Sequence, residues 1–331
     1  MSDIDKTLEQ LLSNAAPRPV PDPKDTAAAR EAVRSEWRAV ADRRGFRSKA
    51  FRFAVAATVL LGLFSVFNGF RVAETELQLV ASIQKSFGAI YVLSDQSELT
   101  RANDLKSIYA GQVIVTGDDA GIALAWAGGG SMRVDEDSEV EFRDNNTVYL
   151  HAGNIYFDSM PSKLVAGTSV GEVGSFEIET DHGVVSHTGT QFMTGVNADE
   201  LVVRVREGRV DIAGRYYPHT AERGEQVVIS GRQRPEVLSI PEYGAAWDWV
   251  SRTSPSVDVD GKTIHEFLTW AGRELGMSVK YDNDKLEESA RTDTLNGQVN
   301  VEPGEALRMR MLTAGLEWKY EEGAIYVSND D

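Results

Sequence analysis

The stretch FRFAVAATVLLGLFSVFNGF, Phe51 to Phe70, constrains this chain more than any other, because it carries no charge from Phe53 to Phe67 and no polar face recurs in it at helical spacing. It reaches roughly the 20 residues that a helix needs to cross a hydrocarbon core of about 30 Å. A buried core helix is the alternative, since Arg52 and Asn68 shorten the clean run. The stretch separates an arm of about 50 residues from a body of about 260. Arg43, Arg44, Arg47, Lys49 and Arg52 precede it or open it, whereas the next 25 residues beyond it hold only Arg71 and Lys85. That asymmetry places the arm in the cytoplasm and the body outside. A run that begins so far in, behind a long basic flank, reads as an uncleaved anchor rather than a cleaved signal peptide. The bilayer is therefore the first expected partner.

Composition suits a soluble body on one anchor. A hydrophobic content of 42% over 331 residues provides for two or three small cores and leaves no room for a polytopic protein. A net charge of -17 argues against direct nucleic-acid binding by the body, since a phosphate backbone would be repelled. The absence of cysteine excludes a disulfide framework, thiol catalysis and thiolate metal sites.

The arm (1–50) holds two helical patterns. Ile4, Leu8, Leu11 and Leu12 form one apolar stripe, and Pro17 to Pro23 break the chain into an extended linker. A second stripe after a Thr26 cap carries Ala29, Val33, Trp37 and Val40, with Arg30, Arg34 and Arg38 around it. Two such helices are too short to make a stable domain, so they are expected to fold on a partner. Leu8, Leu11, Leu12, Val33, Trp37 and Val40 are the candidate contact residues, with Trp37 as the hot spot. The bland alternative is a disordered stub whose basic end orients the anchor.

After a juxtamembrane linker (71–86), residues 87–240 read as short strands punctuated by glycine about every ten residues, an all-β body of the solenoid or sandwich kind. The run FEIETDHGVVSHTGTQFMTGV followed by LVVRVREGRVDI places Phe176, Ile178, Thr180, Gly183, Val185, Gly189, Thr190, Phe192, Val203, Val205, Glu207, Gly208 and Val210 in the order of the FecR-domain pattern. LHAGNIYFD at 150–158 resembles the family's upstream segment. The chain thus resembles FecR-type regulators, single-span anti-sigma proteins of Gram-negative cell-surface signalling. Phe176, Thr180, Gly189, Thr190, Phe192, Glu207 and Gly208 are expected to be architectural, with glycines where strands turn and Val203/Val205 on one face. Asp181, His182 and His187, or Glu177 with Glu179, lack the third ligand or defined partner that a metal or catalytic site needs. No catalytic, cofactor or metal residue is expected, and the protein is not read as an enzyme.

A linker (241–255) leads to a small α/β module (256–331) of two strand-helix-strand units. Thr263 and Glu266 form a capping box before a helix with Ile264, Phe267, Leu268, Ala271 and Leu275 inward, and Gly276 ends it. Strands are expected at 277–282 and 295–301, a second helix between Pro303 and Gly315, and a closing hairpin. Leu295, Gly297, Pro303, Glu305, Ala306, Leu307, Gly315, Leu316 and Trp318 are similar in pattern to the short N-terminal (STN) domain of secretins and TonB-dependent transducers. Trp270 lies off the helix stripe and is a candidate interface residue, and Met309 is likewise off its stripe.

The two resemblances imply an inner-membrane, single-pass relay. Its arm would contact an extracytoplasmic-function (ECF) sigma factor, and its periplasmic bulk would meet an outer-membrane TonB-dependent transducer's signalling domain or another periplasmic protein. The alternative is a periplasmic envelope scaffold with no sigma factor.

Overall fold

The computed structural model describes residues 78–93, 98–159 and 176–329, with Glu31 and Leu164 as isolated positions. The chain divides into two compact units, Met1–Thr75 and Glu76–Asp331. The arm residues Leu8, Leu11, Leu12, Val33, Trp37 and Val40 and the apolar run Phe51–Phe70 lie outside the described residues. Among the described residues no helix is long and apolar enough to cross a membrane.

The second unit opens with a β body. In chain order its strands are β1 (Leu79–Phe87), β2 (Ile90–Leu93), β3 (Leu99–Arg101), β4 (Ser107–Tyr109), β5 (Gln112–Thr116), β6 (Gly121–Trp126), β7 (Ser131–Val134), β8 (Glu139–Phe142), β9 (Thr147–Asp158), β10 (Glu177–Thr180), β11 (Gly183–Val196), β12 (Glu200–Gly214), β13 (Pro218–Glu222), β14 (Glu225–Ser230) and β15 (Glu236–Ser239). β1 begins inside the stretch read from sequence as a linker. All fifteen join one hydrogen-bonded sheet, whose main path runs β15-β14-β12-β11-β10-β9-β7-β6-β1-β4. It is neither a stack of equal coils nor two separate sheets. The long strand β9 explains this: its first half pairs with β8 and β10, and its second half with β7 and β11. One strand thereby serves two layers around a single apolar core that runs from Val80 to Ile229.

Period-two alternation builds that core and then slips once. On β12, Leu201, Val203 and Val205 face in, and after Glu207–Gly208 the inward set resumes out of phase at Val210 and Ile212. The ladder with β11 is irregular opposite, between Thr188 and Gln191. A bulge of this kind re-aims the side chains beside it. Part of the sheet is also buried on both faces: every residue of β6 and β7, the end of β9 from Ile155 to Asp158, and Gln191 to Val196 on β11. The outer of those two faces is the one that the rest of the chain covers.

The covering begins with α1 (Asp248–Arg252) and continues as a module of β16 (Val257–Asp258), α2 (Ile264–Leu275), β17 (Ser278–Tyr281), α3 (Asp284–Thr292), β18 (Gln298–Val299), α4 (Pro303–Ala314), β19 (Leu316–Glu321) and β20 (Ala324–Asn329). The capping box of α2 is formed: the Glu266 N–H donates to Thr263 Oγ1 at 3.1 Å, and the Thr263 N–H to Glu266 Oε2 at 2.8 Å. Sequence reading places no helix at 284–292, yet Asn283 caps α3 there and Leu286 and Ala290, one turn apart, are buried. The expected strand 295–301 forms a regular ladder only at Gln298–Val299, although Leu295 and Gly297 also exchange backbone hydrogen bonds with the chain at 259–262. The module has its own apolar core, centred on Phe267, Leu268, Trp270, Leu307, Met311 and Ile325.

Candidate functional site

The contact between the β body and the module is the most chemically distinctive place in the described structure, because charges rather than apolar side chains fill its centre. Arg133 on β7 and Glu274 in the last turn of α2 are only 3% and 6% exposed. Arg133 Nη2 donates to both carboxylate oxygens of Glu274, at 2.9 and 2.7 Å, and its Nη1 donates to the Val250 carbonyl at 2.7 Å. Ser254 Oγ donates to the same carboxylate at 3.0 Å. From β12, Arg206 donates through Nε to the Glu242 carbonyl at 2.7 Å and through Nη1 to the Glu274 carbonyl at 3.1 Å. Burial pulls the pKa of Arg206 down, and it remains a cation, stacked 4.3 Å over Trp247.

The neighbouring Arg273 makes a second pair. Its Nη2 and Nε reach the two oxygens of Asp158 at 2.5 and 3.1 Å, and its Nη1 reaches Glu207 at 2.7 Å. Burial disfavours its charge, but the hydrogen bonds and charges of Asp158 and Glu207 outweigh that and hold its pKa above the ordinary arginine value. Gln191 Nε2 braces Asp158 from the β11 side at 3.0 Å. Thus the dipeptide Arg273–Glu274 engages β7, β9 and β12 at once. An open cleft of about 610 Å³ runs along this junction between α2, β17 and the chain at Glu242–Tyr243.

Geometry at Gly276 permits the close approach. It ends α2 with φ 68°, and a Cβ there would stand 2.0 Å from the Glu242 carbonyl oxygen. The segment before the module is fixed to the β body separately. Lys85 Nζ donates to the carbonyls of Arg252 and Ser254 at 2.8 and 3.0 Å, and Trp247 and Val250 pack on Tyr156 and Met193. Leu164 crosses the other way: it is 5% exposed in the module's core, and its carbonyl accepts from the Asp258 N–H at 3.2 Å.

The motif residues fall as follows. Phe176 stacks on Phe157 at 4.1 Å, and Phe192 is buried in the same core. Thr180 closes the β10–β11 turn by donating to the Gly183 carbonyl and accepting from the N–H groups of His182 and Gly183. Gly189 and Gly208 both have positive φ and face each other across the bulge, and Thr190 is buried beside them. Glu207 differs from the rest, because the bulge turns it toward Arg273. Trp270 is not a surface residue: it is 1% exposed. It belongs to the module's own apolar core, against Phe267, whereas Glu274, one turn on, reaches the β body through Arg133. Among the described residues, the exposed large apolar side chains of the module are Met309, Leu312 and Tyr320. Sequence reasoning missed Arg133, Asp158, Leu164, Arg206, Arg273 and Glu274. The available signal was a charge embedded in an apolar strand, as in SMRV and VVRVRE. Among the described residues no cluster of three or more His, Asp or Glu could hold a metal ion.

Residues 112–211 match the family model for FecR protein. Over these residues the chain is similar to FecR proteins. The matched stretch takes in β5 to β12 and so includes Arg133, Asp158, Arg206 and Glu207, the body's charged half of the junction. No curated protein sequence matches the chain. Two crystal structures of candidate anti-sigma factors from Parabacteroides distasonis ATCC 8503 align with it. One, at 14% identity and a TM-score of 0.33, covers 66% of this chain and 99% of that one. The other, at 16% identity and 0.25, covers 66% and 93%. Likenesses at this level bear no weight for fold or function.

Proposed function

We propose that this protein is a non-catalytic, single-span signal relay that controls an ECF sigma factor. The FecR-like domain at 112–211 carries the reading, because domains of this kind characterise the regulators that the whole-chain pattern resembles. The charge-free run Phe53–Phe67 and its basic flank supply the topology: arm in the cytoplasm, FecR-like domain and C-terminal module in the periplasm. The module's STN-like pattern makes it the part that meets a TonB-dependent transducer. By linkage, an outer partner acts on the inner one only through its differential affinity for two states of the relay.

The arm must gain order on binding, so a few large apolar anchors carry its affinity. Trp37, with Val33 and Val40, is the larger cluster, and Leu8, Leu11 and Leu12 form the second. In a pull-down of the cognate sigma factor with residues 1–50, Trp37→Ala is expected to weaken capture by about 2 kcal/mol, roughly 30-fold. Arg30→Ala or Arg34→Ala changes it far less. Full retention by Trp37→Ala with loss on removing the arginines means a diffuse electrostatic contact, and no capture by the native arm favours the envelope scaffold.

A further inference from the structure

We propose that the Arg273–Glu274 end of α2 is a releasable latch, so that the C-terminal module undocks from the FecR-like domain as a folded body while the segment 245–254 stays behind. Three observations carry this, and none depends on the sigma-factor reading. First, the two parts have separate apolar cores, and among the described residues Leu164 is the one β-body residue in the module's core. Second, what joins them at the centre is ionic: Arg133, Arg206 and Asp158 on one side, Arg273 and Glu274 on the other. A buried ion pair is worth little net, because water solvates each partner well once they separate, so undocking costs less than parting an apolar interface of the same size. Third, the preceding segment has its own hold on the body. Lys85, Arg133 through the Val250 carbonyl, and the packing of Trp247 on Tyr156 all remain when α2 leaves. The hinge is then the chain at Pro255–Ser256, just beyond Ser254 and before β16.

The open and closed forms differ in what they offer a partner. Undocking bares the α2 face that carries Glu274 and the charged floor around Asp158 and Arg206. A molecule that holds the module by either form therefore shifts the equilibrium, and the FecR-like domain reads the change through Glu207 and Asp158.

Two amides separate docking from folding. The Asp258 N–H is protected by Leu164 across the junction, whereas the Phe267 N–H is protected within the module by the Thr263 carbonyl. In residue-resolved hydrogen exchange on the full-length chain in detergent micelles, the Asp258 amide is expected to exchange at least tenfold faster than Phe267. Glu274→Ala strands Arg133 only in the docked form, so it should accelerate Asp258 by a further tenfold or more and leave Phe267 unchanged. As a check on folding, Trp270→Phe should move both amides together through the module's own stability. If Asp258 and Phe267 exchange at one rate in the native chain, or Glu274→Ala accelerates both equally, module and body unfold as one unit and the latch is refuted. A native-like Asp258 rate in Glu274→Ala likewise refutes it.

Discussion

His187 stands among the rings of Phe157, Phe176 and Phe192, and neither of its ring nitrogens has a hydrogen-bond partner among the described residues. Burial lowers its pKa, so the folded protein holds the neutral ring while the unfolded chain keeps the ordinary value of about 6.5. A group depressed in this sense stabilises the fold above that value. The contribution is lost as pH falls below it, because the unfolded state takes up the proton first. Urea midpoints of the outer region should drop between pH 7.5 and pH 5.5, and His187→Phe should flatten the drop. His265, also lowered chiefly by burial, leaves a residual slope of the same sign. Gly208 is the other residue on which the motif turns. With φ 77° and a Cβ position 2.4 Å from the Gly189 carbonyl oxygen, it admits no side chain. Gly208→Ala is expected to cost about 1–3 kcal/mol in denaturant unfolding, from left-handed strain and the clash with backbone. Because the bulge aims Glu207, the same change should also loosen Arg273.

Among the elements, α2 connects local signals to the long-range contact. Its N-terminus is set by Thr263 and Glu266, whose mutual hydrogen bonds hold the Glu266 carboxyl below its usual pKa. Its C-terminus places Arg273 and Glu274 just before Gly276. Thr263→Ala should lower the thermal stability of the module by about 1 kcal/mol, the usual worth of such a cap, and Thr263→Ser should restore most of it. The strands repeat the lesson in another form. From Leu201 to Val205 β12 alternates with a period of two, and that pattern alone assigns Val203 and Val205 to the core. What covers the opposite face, where Arg204 and Arg206 project, depends on elements further along the chain.

For the whole molecule, topology decides whether a relay is possible at all. On the proposed topology, with the basic residues before Phe53 on the cytoplasmic side, alkaline phosphatase fused at Gly244 should be active and the same fusion at Ala41 inactive. The reverse pattern would overturn the anchor and, with it, any sigma-factor contact by the arm. The ionic junction also gives the outer region a division of labour. The β body contributes a sheet face that carries Arg133, Asp158 and Arg206, and the module contributes the helix end, Arg273–Glu274, that pairs with it.

The chain by itself determined the features whose causes are local: the charge-free run, the alternation that makes Phe176, Val203 and Val205 core residues, the caps of α2 and the glycines at its turns. Those depend on spacing within a few residues, which is visible in the order of amino acids. Only the tertiary structure decided the junction. Arg133 and Glu274 are 141 positions apart, and Asp158 and Arg273 are 115 apart. Read singly, each is an ordinary solvent-facing charge, and Trp270 an ordinary off-stripe tryptophan. Burial of such groups is tolerated only when the opposite charge arrives from another element. Their meaning is therefore a property of the fold and not of any segment.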